Sequence, residues 1–168
     1  GAGTIDMFDQ MAAGEIKACW IICTNPVASV ANRATVLEGL QAAELVIVQD
    51  AYADTATTRH ADIMLPAMLW AEADAVMVNS ERTMTLLAQS IPPLGESRPD
   101  WELICGVARH LGFGDDFDYK SSEEIFDEIR RFANPRTGYD LRGVSYERLR
   151  GTPVQWPCPP QDSPDGSP

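Results

Sequence analysis

The chain has 168 residues, and its 25 acidic side chains against 13 Lys and Arg give a formal net charge of -12 at pH 7. This length is enough to bury one hydrophobic core without disulfides or a structural metal. The negative charge repels nucleic acid and anionic membrane surfaces, so neither is expected as a partner. No apolar run reaches the roughly 20 residues needed to cross a bilayer, and the N-terminal residues lack the order of a secretory signal, so we expect a soluble segment.

The first part of the chain predicts a βαβ unit. Helical spacing of apolar residues over 5–11 predicts a short helix. Two apolar runs of strand length, Ala18–Cys23 and Leu45–Gln49, flank a helical pattern over Val30–Ala43. Continuous apolar runs are typical of parallel strands covered on both faces. A third strand is expected at Ile63–Leu65.

The second part predicts a hairpin and two helices. Residues Ala75–Ala88 have the spacing of a β-hairpin, which we expect at the edge of the sheet. Asp100–Leu111 has helical spacing, and a further helix is expected to start at Ser122. Its predicted core side consists of Ile125, Phe126, Ile129 and Phe132. The expected fold class is therefore α/β, a Rossmann-like three-layer domain with a mostly parallel sheet and an edge β-hairpin.

Proline content separates the end of the chain from the rest. Residues 1–150 are predicted to form one α/β domain, and residues 151–168 a Pro-rich C-terminal tail. Trp156 and Cys158 are candidates for docking back on the domain, whereas the end beyond Pro160 is expected to be mobile.

The cysteines do not indicate a metal site or a disulfide. Cys19 and Cys23 lie four residues apart in the first apolar run, which places them on one face of a strand as small buried hydrophobes. Cys105 and Cys158 are far from this pair, and no CxxC pair occurs. No metal ligand is therefore expected in this chain.

Polar residues follow the first two predicted strands. Asn25 lies in the loop Thr24-Asn25-Pro26, and Asp50 follows Gln49 at the end of the second strand. Ligands of open α/β sheets bind outside the carboxyl ends of the strands, and a carboxylate there can accept hydrogen bonds from ribose hydroxyls. These residues suit a nucleotide. The alternative is that Thr24 or Asn25 only caps or turns the chain and that Asp50 is a solvated loop carboxylate.

Several common catalytic patterns are absent. The sequence contains neither GxGxxG nor GxxxxGK[ST], which disfavours an ordinary dehydrogenase or NTPase. Neither His60 nor His110 has a Ser or Cys nearby in sequence that would suggest a nucleophile and its base. No catalytic residue is expected in this segment.

An ordered string of motifs carries a family resemblance over about residues 4–160. In chain order the motifs read IKACWIICTNP, LVIVQDAY, TATTRHADIMLPAMLWAEADAVMVNSER, SRPDW and YERLRGTPVQWPCP. Together they resemble the third domain of bacterial molybdopterin oxidoreductases, and most closely that of the assimilatory nitrate reductases.

The resemblance implies a molybdenum-bis(molybdopterin guanine dinucleotide) cofactor, with this domain holding the guanosine end of one dinucleotide. At the matching positions it implies cofactor contacts from Asn25, Gln49, Asp50 and Asp100. Asp100 has the chemistry to accept two hydrogen bonds from a guanine edge, and Asp50 to hold a ribose. Asp100 could equally serve as a helix N-terminal carboxylate after Pro99, and the two roles are compatible.

Two departures from the family pattern are visible. Relatives commonly carry Lys-x-Gly where this chain has Ala73, Asp74 and Ala75, so a cationic contact is missing. The second Arg that often follows NSER is Thr83 here, which leaves Arg82 to pair with Glu81 or with an acid of another domain.

The resemblance also implies that this is a piece of a larger cytoplasmic subunit that reduces nitrate to nitrite. The iron–sulfur cluster and the metal ligand would lie outside it, so the fragment is expected to be inactive alone. Its partners would be the other domains of the same subunit and an electron donor.

The alternatives to a nitrate reductase are the equivalent domain of a formate dehydrogenase or periplasmic nitrate reductase, or a non-catalytic nucleotide-binding module. A cysteine cluster encoded upstream would distinguish the enzymes from the module.

Overall fold

The computed structural model of the chain describes residues 3–160 and 162 and divides them into two compact units. Unit 1 contains the residues up to Leu69 together with Pro93–Leu103, and unit 2 contains Trp70–Pro92 and the residues from Ile104 onward. The division within residues 1–150 is a feature that composition alone did not indicate. No helix of the described residues is long and apolar enough to span a membrane.

Unit 1 is built on a parallel sheet. Its elements are α1 (Thr4–Ala12), β1 (Ala18–Ile22), α2 (Pro26–Ser29), α3 (Arg33–Ala42), β2 (Leu45–Asp50) and β3 (Ile63–Pro66). The strands lie in the order β1-β2-β3, all parallel, with Ile21 opposite Val48 and Val48 opposite Met64. The predicted βαβ unit is confirmed, and the helical pattern over Val30–Ala43 corresponds to α3.

The core of unit 1 lies on one face of this sheet. Ile21, Val46 and Val48 alternate toward it, as neighbouring positions of strands must. Helix α1 contributes Phe8 and Met11, and α3 contributes Val36 and Leu40. On the opposite face Ile22 and Ile63 stay 38% and 45% exposed. Gln49 on this same face is fully buried, so the expectation that both faces of each strand are covered is met only in part.

Unit 2 has an antiparallel sheet of its own. Its strands are β4 (Ala75–Val78), β5 (Thr83–Leu87) and β8 (Val154–Gln155), in the order β4-β5-β8, and a two-stranded ladder joins β6 (Ala133–Asn134) to β7 (Tyr139–Asp140). Its helices are α5 (Ser122–Ile129) and α6 (Tyr146–Gly151). Helix α4 (Asp100–His110) contributes its first residues to unit 1 and the rest to unit 2.

The predicted hairpin is present, but its placement at the edge of the parallel sheet is wrong. Strand β5 pairs on its second side with β8 from the end of the chain, and no described residue of β4 or β5 joins the parallel sheet. The physical reason is that Met84 packs, fully buried, with Phe126, Leu141 and Tyr146 in a second core. The α/β class is confirmed, whereas the Rossmann-like three-layer arrangement stays a prediction.

The proline-rich end contributes to unit 2 up to Pro160. Val154 and Cys158 are buried, and the Cys158 amide donates to the Asp140 carbonyl at 2.8 Å. A Cβ on Gly143 would collide with the Pro159 carbonyl, so glycine is needed for this close approach. The docking of Trp156 and Cys158 is thus observed. The expected mobile end falls mostly on positions outside the described residues.

Helix α5 begins at Ser122, as the sequence predicted. Ser121 is the N-cap, and its side chain accepts a hydrogen bond from the Glu124 amide. Of the predicted core side only Phe126 is fully buried, while Ile129 is 45% and Phe132 is 64% exposed. The prediction of a buried Ile129 and Phe132 is wrong because the helix ends at Ile129 and Phe132 lies beyond it.

The packing of α1 on α3 generates a stability prediction at Gly39. A Cβ there would lie 2.9 Å from the Phe8 carbonyl oxygen and 3.1 Å from the Met11 Cβ. Gly39→Ala should therefore destabilise the chain by about 1–3 kcal/mol, since overpacking against backbone outweighs the better helix propensity of Ala. The measurement is the midpoint of urea unfolding. Gly106→Ala is the matched control, because the nearest atom to its Cβ is an Arg109 side-chain nitrogen at 4.0 Å. The control should be neutral or stabilising, and equal effects of the two changes would contradict the prediction.

Candidate functional site

The carboxyl ends of the three parallel strands meet at one edge of the unit 1 sheet. The ladder continues one residue past β1 and β3, since the Cys23 amide donates to the Gln49 carbonyl at 2.8 Å and the Ala67 amide to the Asp50 carbonyl at 3.0 Å. Arg98 adds to this edge: it forms a parallel bridge with Ala67, and its carbonyl accepts a hydrogen bond from the Met68 amide at 2.9 Å. This pairing delivers Asp100, at the start of α4, to the same edge.

Three side chains form a connected group there, which we call the strand-end cluster: Cys23, Gln49 and Asp100. The Gln49 amide nitrogen donates to Asp100 Oδ1 at 2.6 Å, and the Cys23 thiol donates to the same oxygen at 3.1 Å. Gln49 is fully buried and Asp100 is half-buried. Two of the four predicted site residues, Gln49 and Asp100, are therefore in direct contact.

The cluster has unused hydrogen-bonding capacity. Gln49 Oε1 is buried and has no hydrogen-bond partner within the described part of the chain, and Trp20 Nε1 is a second such atom on the same face of the sheet. A buried polar atom without a partner costs about 1–3 kcal/mol, so such atoms are usually satisfied by a ligand, water or another chain. The cluster thus has the properties expected of a surface that is completed by something the chain binds.

Asp50 is buried at this edge but belongs to the other face of the sheet. Neighbouring strand positions point to opposite faces, so Asp50 diverges from Gln49. Its Oδ1 accepts the Tyr52 amide at 3.0 Å, and it forms no hydrogen bond with the cluster. Its charge nevertheless reaches the Cys23 thiol, where it contributes to raising the pKa. A ligand lying across the strand ends would meet both faces.

Asn25 is held by a residue that the sequence did not single out. Thr57 is fully buried, donates to Asn25 Oδ1 at 2.6 Å and accepts the Val27 amide at 3.2 Å. Because its oxygen is engaged, the Asn25 side chain has its NH2 group left for a ligand. Asn25 is thus held by Thr57, whereas Asp100 is held by Gln49 and Cys23, and no hydrogen bond connects Asn25 with Asp100. The structure brings together Gln49 and Asp100, and it anchors Asn25 and Asp50 separately along the same edge.

The prediction of a buried Cys23 on a strand is wrong. Strand β1 ends at Ile22, and Cys23 is exposed with a left-handed backbone, φ 51°. Partial burial of the sulfur, the hydrogen bond to Asp100, and the charges of Asp100 and Asp50 together raise the pKa of Cys23 to about 12. The thiol is therefore protonated at physiological pH and acts as a donor. Cys19 is half-buried, and burial raises its pKa as well.

Comparison with known proteins identifies the family. Residues 1–110 match the family model described as molybdopterin oxidoreductase. The chain belongs to the molybdopterin oxidoreductase family. Members of this family are enzymes, and membership implies a molybdenum–pterin cofactor. No group of three or more His, Cys, Asp or Glu side chains among the described residues could hold a metal ion.

Several relatives of this molybdopterin oxidoreductase chain are nitrate reductases. It is 39% identical over 163 residues to a nitrate reductase of Synechocystis and 35% identical to the assimilatory nitrate reductase catalytic subunit of Bacillus subtilis. It is also 37% identical to the F420-dependent formate dehydrogenase subunit alpha of Methanocaldococcus jannaschii. These alignments cover 96%, 98% and 91% of this chain but only 23%, 23% and 22% of the relatives, so the chain spans about a quarter or less of their length.

A solved structure supports the fold. Acetylene hydratase from Pelobacter acetylenicus superposes with a TM-score of 0.73 and covers 95% of this chain and 22% of that one. At 24% sequence identity this likeness shows the fold alone.

Asp74 and Arg82, the charged residues at the two departures from the family pattern, make contacts within unit 2 of this molybdopterin oxidoreductase. Asp74 Oδ1 accepts the Gln89 amide at 2.8 Å, which ties together the segments flanking the hairpin. Arg82 does not pair with Glu81, as one alternative had it. Its guanidinium lies 5.4 Å from the centre of the Trp156 ring, and its carbonyl accepts the Trp156 amide. Both residues are explained by contacts with their own unit.

Thr57 generates the prediction for this site. Thr57→Val keeps the shape of the side chain but leaves Asn25 Oδ1 and the buried Val27 amide without their partner, which should cost about 1–3 kcal/mol of stability. Chemical unfolding checks the value. The control is Thr85→Val, since the Thr85 hydroxyl makes no hydrogen bond to any described residue and valine suits its strand. A loss for Thr57→Val no larger than for Thr85→Val would show that Thr57 does not hold Asn25.

Proposed function

We propose that this chain is the part of a molybdenum-dependent nitrate reductase that holds the guanosine end of a bis(molybdopterin guanine dinucleotide) cofactor. The single observation that carries the proposal is the strand-end cluster, in which a buried Gln49 and a half-buried Asp100 converge where parallel strands finish. The nitrate reductases among the relatives favour nitrate as the substrate. The location proposed is the cytoplasm.

The polarity of the cluster fits a guanine base. Guanine presents two adjacent N–H donors on its pairing edge, and an ionised carboxylate accepts such a pair strongly. Asp100 Oδ1 is engaged by Gln49 and Cys23, whereas no described residue donates to Oδ2. A base that approaches Asp100 would therefore meet a free carboxylate oxygen, and Gln49 Oε1 offers an additional unpaired acceptor beside it.

The remaining residues suit the sugar and the linkage. Asp50 can accept hydrogen bonds from ribose hydroxyls through the carboxylate oxygen that Tyr52 does not use. The Asn25 NH2 group can donate to an oxygen of the ligand, because the Asn25 side-chain oxygen already accepts a hydrogen bond from Thr57. These roles orient a nucleoside along the strand ends without a catalytic step in this chain.

The acidic character of the site limits what it can hold. Asp50 and Asp100 repel phosphate oxygens, so the pyrophosphate of a dinucleotide would need donors from elsewhere. Such donors could come from the other domains of the subunit, which we propose as the partners of this chain together with an electron donor. When bound, the cofactor would supply oxygen-transfer chemistry at molybdenum, and an iron–sulfur cluster would supply electrons, with the metal and the cluster both held by residues outside this chain.

The site proposal predicts selective binding of a guanine nucleotide. The chain should bind GMP more tightly than AMP, since adenine lacks the adjacent N–H pair. Asp100→Asn should weaken GMP binding roughly tenfold or more, because a charge-assisted hydrogen bond contributes about 1.5–3 kcal/mol. Isothermal calorimetry measures both. Asp50→Asn should also weaken binding, whereas Glu38→Gln, an exposed charge change on α3, should not. GMP binding by the two Asp variants at the parent affinity would refute the site.

The substrate assignment has its own test. The full subunit that contains this segment should reduce nitrate to nitrite with a chemical electron donor and should not oxidise formate. The formate dehydrogenase at 37% identity makes formate the competing substrate, and the periplasmic type of nitrate reductase is distinguished by its compartment. Turnover of formate without nitrate would transfer the proposal to the formate dehydrogenases. Failure to incorporate molybdenum would instead favour a non-catalytic nucleotide-binding module.

A further inference from the structure

Cys23 has a backbone conformation that an ordinary side chain disfavours. Its φ of 51° lies in the left-handed region, which costs a non-glycine residue about 1–2 kcal/mol. Glycine would adopt the same conformation without this cost. Strained positions of this kind gather at functional sites, where the side chain has a task that outweighs the strain.

The contact that Cys23 makes indicates the task. Its thiol donates to Asp100 Oδ1 at 3.1 Å, and the Gln49 amide donates to the same oxygen at 2.6 Å. Gln49 is fully buried, so its amide cannot follow a rotating carboxylate. Two donors on one oxygen determine the orientation of the carboxylate plane and leave the second oxygen directed away from both.

We propose that Cys23 is a positioning residue for Asp100, whose thiol, together with the Gln49 amide, holds Oδ1 so that Oδ2 is presented to the bound base. The identity of that base rests on the proposed function, but the hold of Cys23 on Asp100 exists without a ligand. Cys23 itself neither reacts nor touches a metal in this role.

The chemistry of the thiol agrees with a donor that stays in place. Partial burial, the Asp100 contact and the nearby Asp50 charge raise the pKa of Cys23 to about 12. The thiolate, not the thiol, is the nucleophile and the species that oxidants attack. An exposed cysteine held in this way keeps its S–H bond and resists alkylation near neutral pH.

The first experiment needs no ligand. Alkylation of the full 168-residue chain by iodoacetamide, a neutral reagent, is followed for Cys23 by mass spectrometry from pH 7 to pH 10, with the buried Cys105 and Cys158 as internal references. Cys23 should react slowly across this range in the parent. Asp100→Asn removes the acceptor charge, so Cys23 should react several-fold faster at a given pH. Asp50→Asn should have a smaller effect, since Asp50 acts on the thiol only through its charge. Identical profiles for the parent and Asp100→Asn would overturn the proposal.

The second experiment separates positioning from folding. Cys23→Ser keeps a donor and should bind GMP within a few-fold of the parent. Cys23→Ala and Cys23→Gly remove the donor and should each weaken GMP binding by several-fold or more. Cys23→Gly also relieves the backbone strain, so its Tm should be no lower than that of the parent even though it binds less tightly. A merely structural cysteine would show binding and Tm falling together.

The two proposals fail in different ways. GMP binding at the parent affinity by Cys23→Ala and Cys23→Gly overturns the positioning role and leaves the guanosine site intact. A parent chain that binds neither GMP nor the intact dinucleotide overturns the guanosine site, and the alkylation profiles then decide by themselves whether Cys23 holds Asp100.

Discussion

The parallel register of β1, β2 and β3 is the constraint on which the rest of unit 1 depends. Parallel strands end at the same edge, so residues far apart in sequence are brought together wherever the ladder stops. The ladder extends to Cys23 and Ala67 by two further backbone hydrogen bonds, to the Gln49 and Asp50 carbonyls. Arg98 docks beside Ala67 and Met68, which places Asp100 against Gln49 across 51 residues of sequence. A slip of one residue in β2 would exchange the faces of Gln49 and Asp50 and dismantle the cluster.

Charge gives the site its chemical character. Two carboxylates at the strand ends, in a chain of net charge -12, favour groups that donate hydrogen bonds and disfavour phosphate. The same carboxylates keep the Cys23 thiol protonated, so an exposed cysteine serves as a donor and not as a nucleophile. This links the proposed nucleoside specificity to the proposed positioning role, since both require Asp100 to be ionised with one oxygen engaged.

The charged residues at the two departures from the family pattern, Asp74 and Arg82, lie in unit 2. Asp74 binds the Gln89 amide, and Arg82 stacks on Trp156, so each has a partner within unit 2. Residues 154–155 are part of this unit, because they form β8 and complete the sheet that starts with the hairpin. The hairpin is therefore not an edge of the parallel sheet, although its local sequence is compatible with either position.

The sequence by itself determined the elements whose signals are local. Apolar runs located β1 and β2, helical spacing located α1, α3 and α4, and the motif string identified the family. Tertiary structure alone decided which sheet the hairpin joins, since strand pairing is a choice among distant partners with similar patterns. It alone showed that Thr57 holds Asn25 and that Cys23 turns out of the strand to meet Asp100. These contacts join side chains 32 and 77 residues apart, and no spacing rule reaches that far, because only the folded backbone sets such distances.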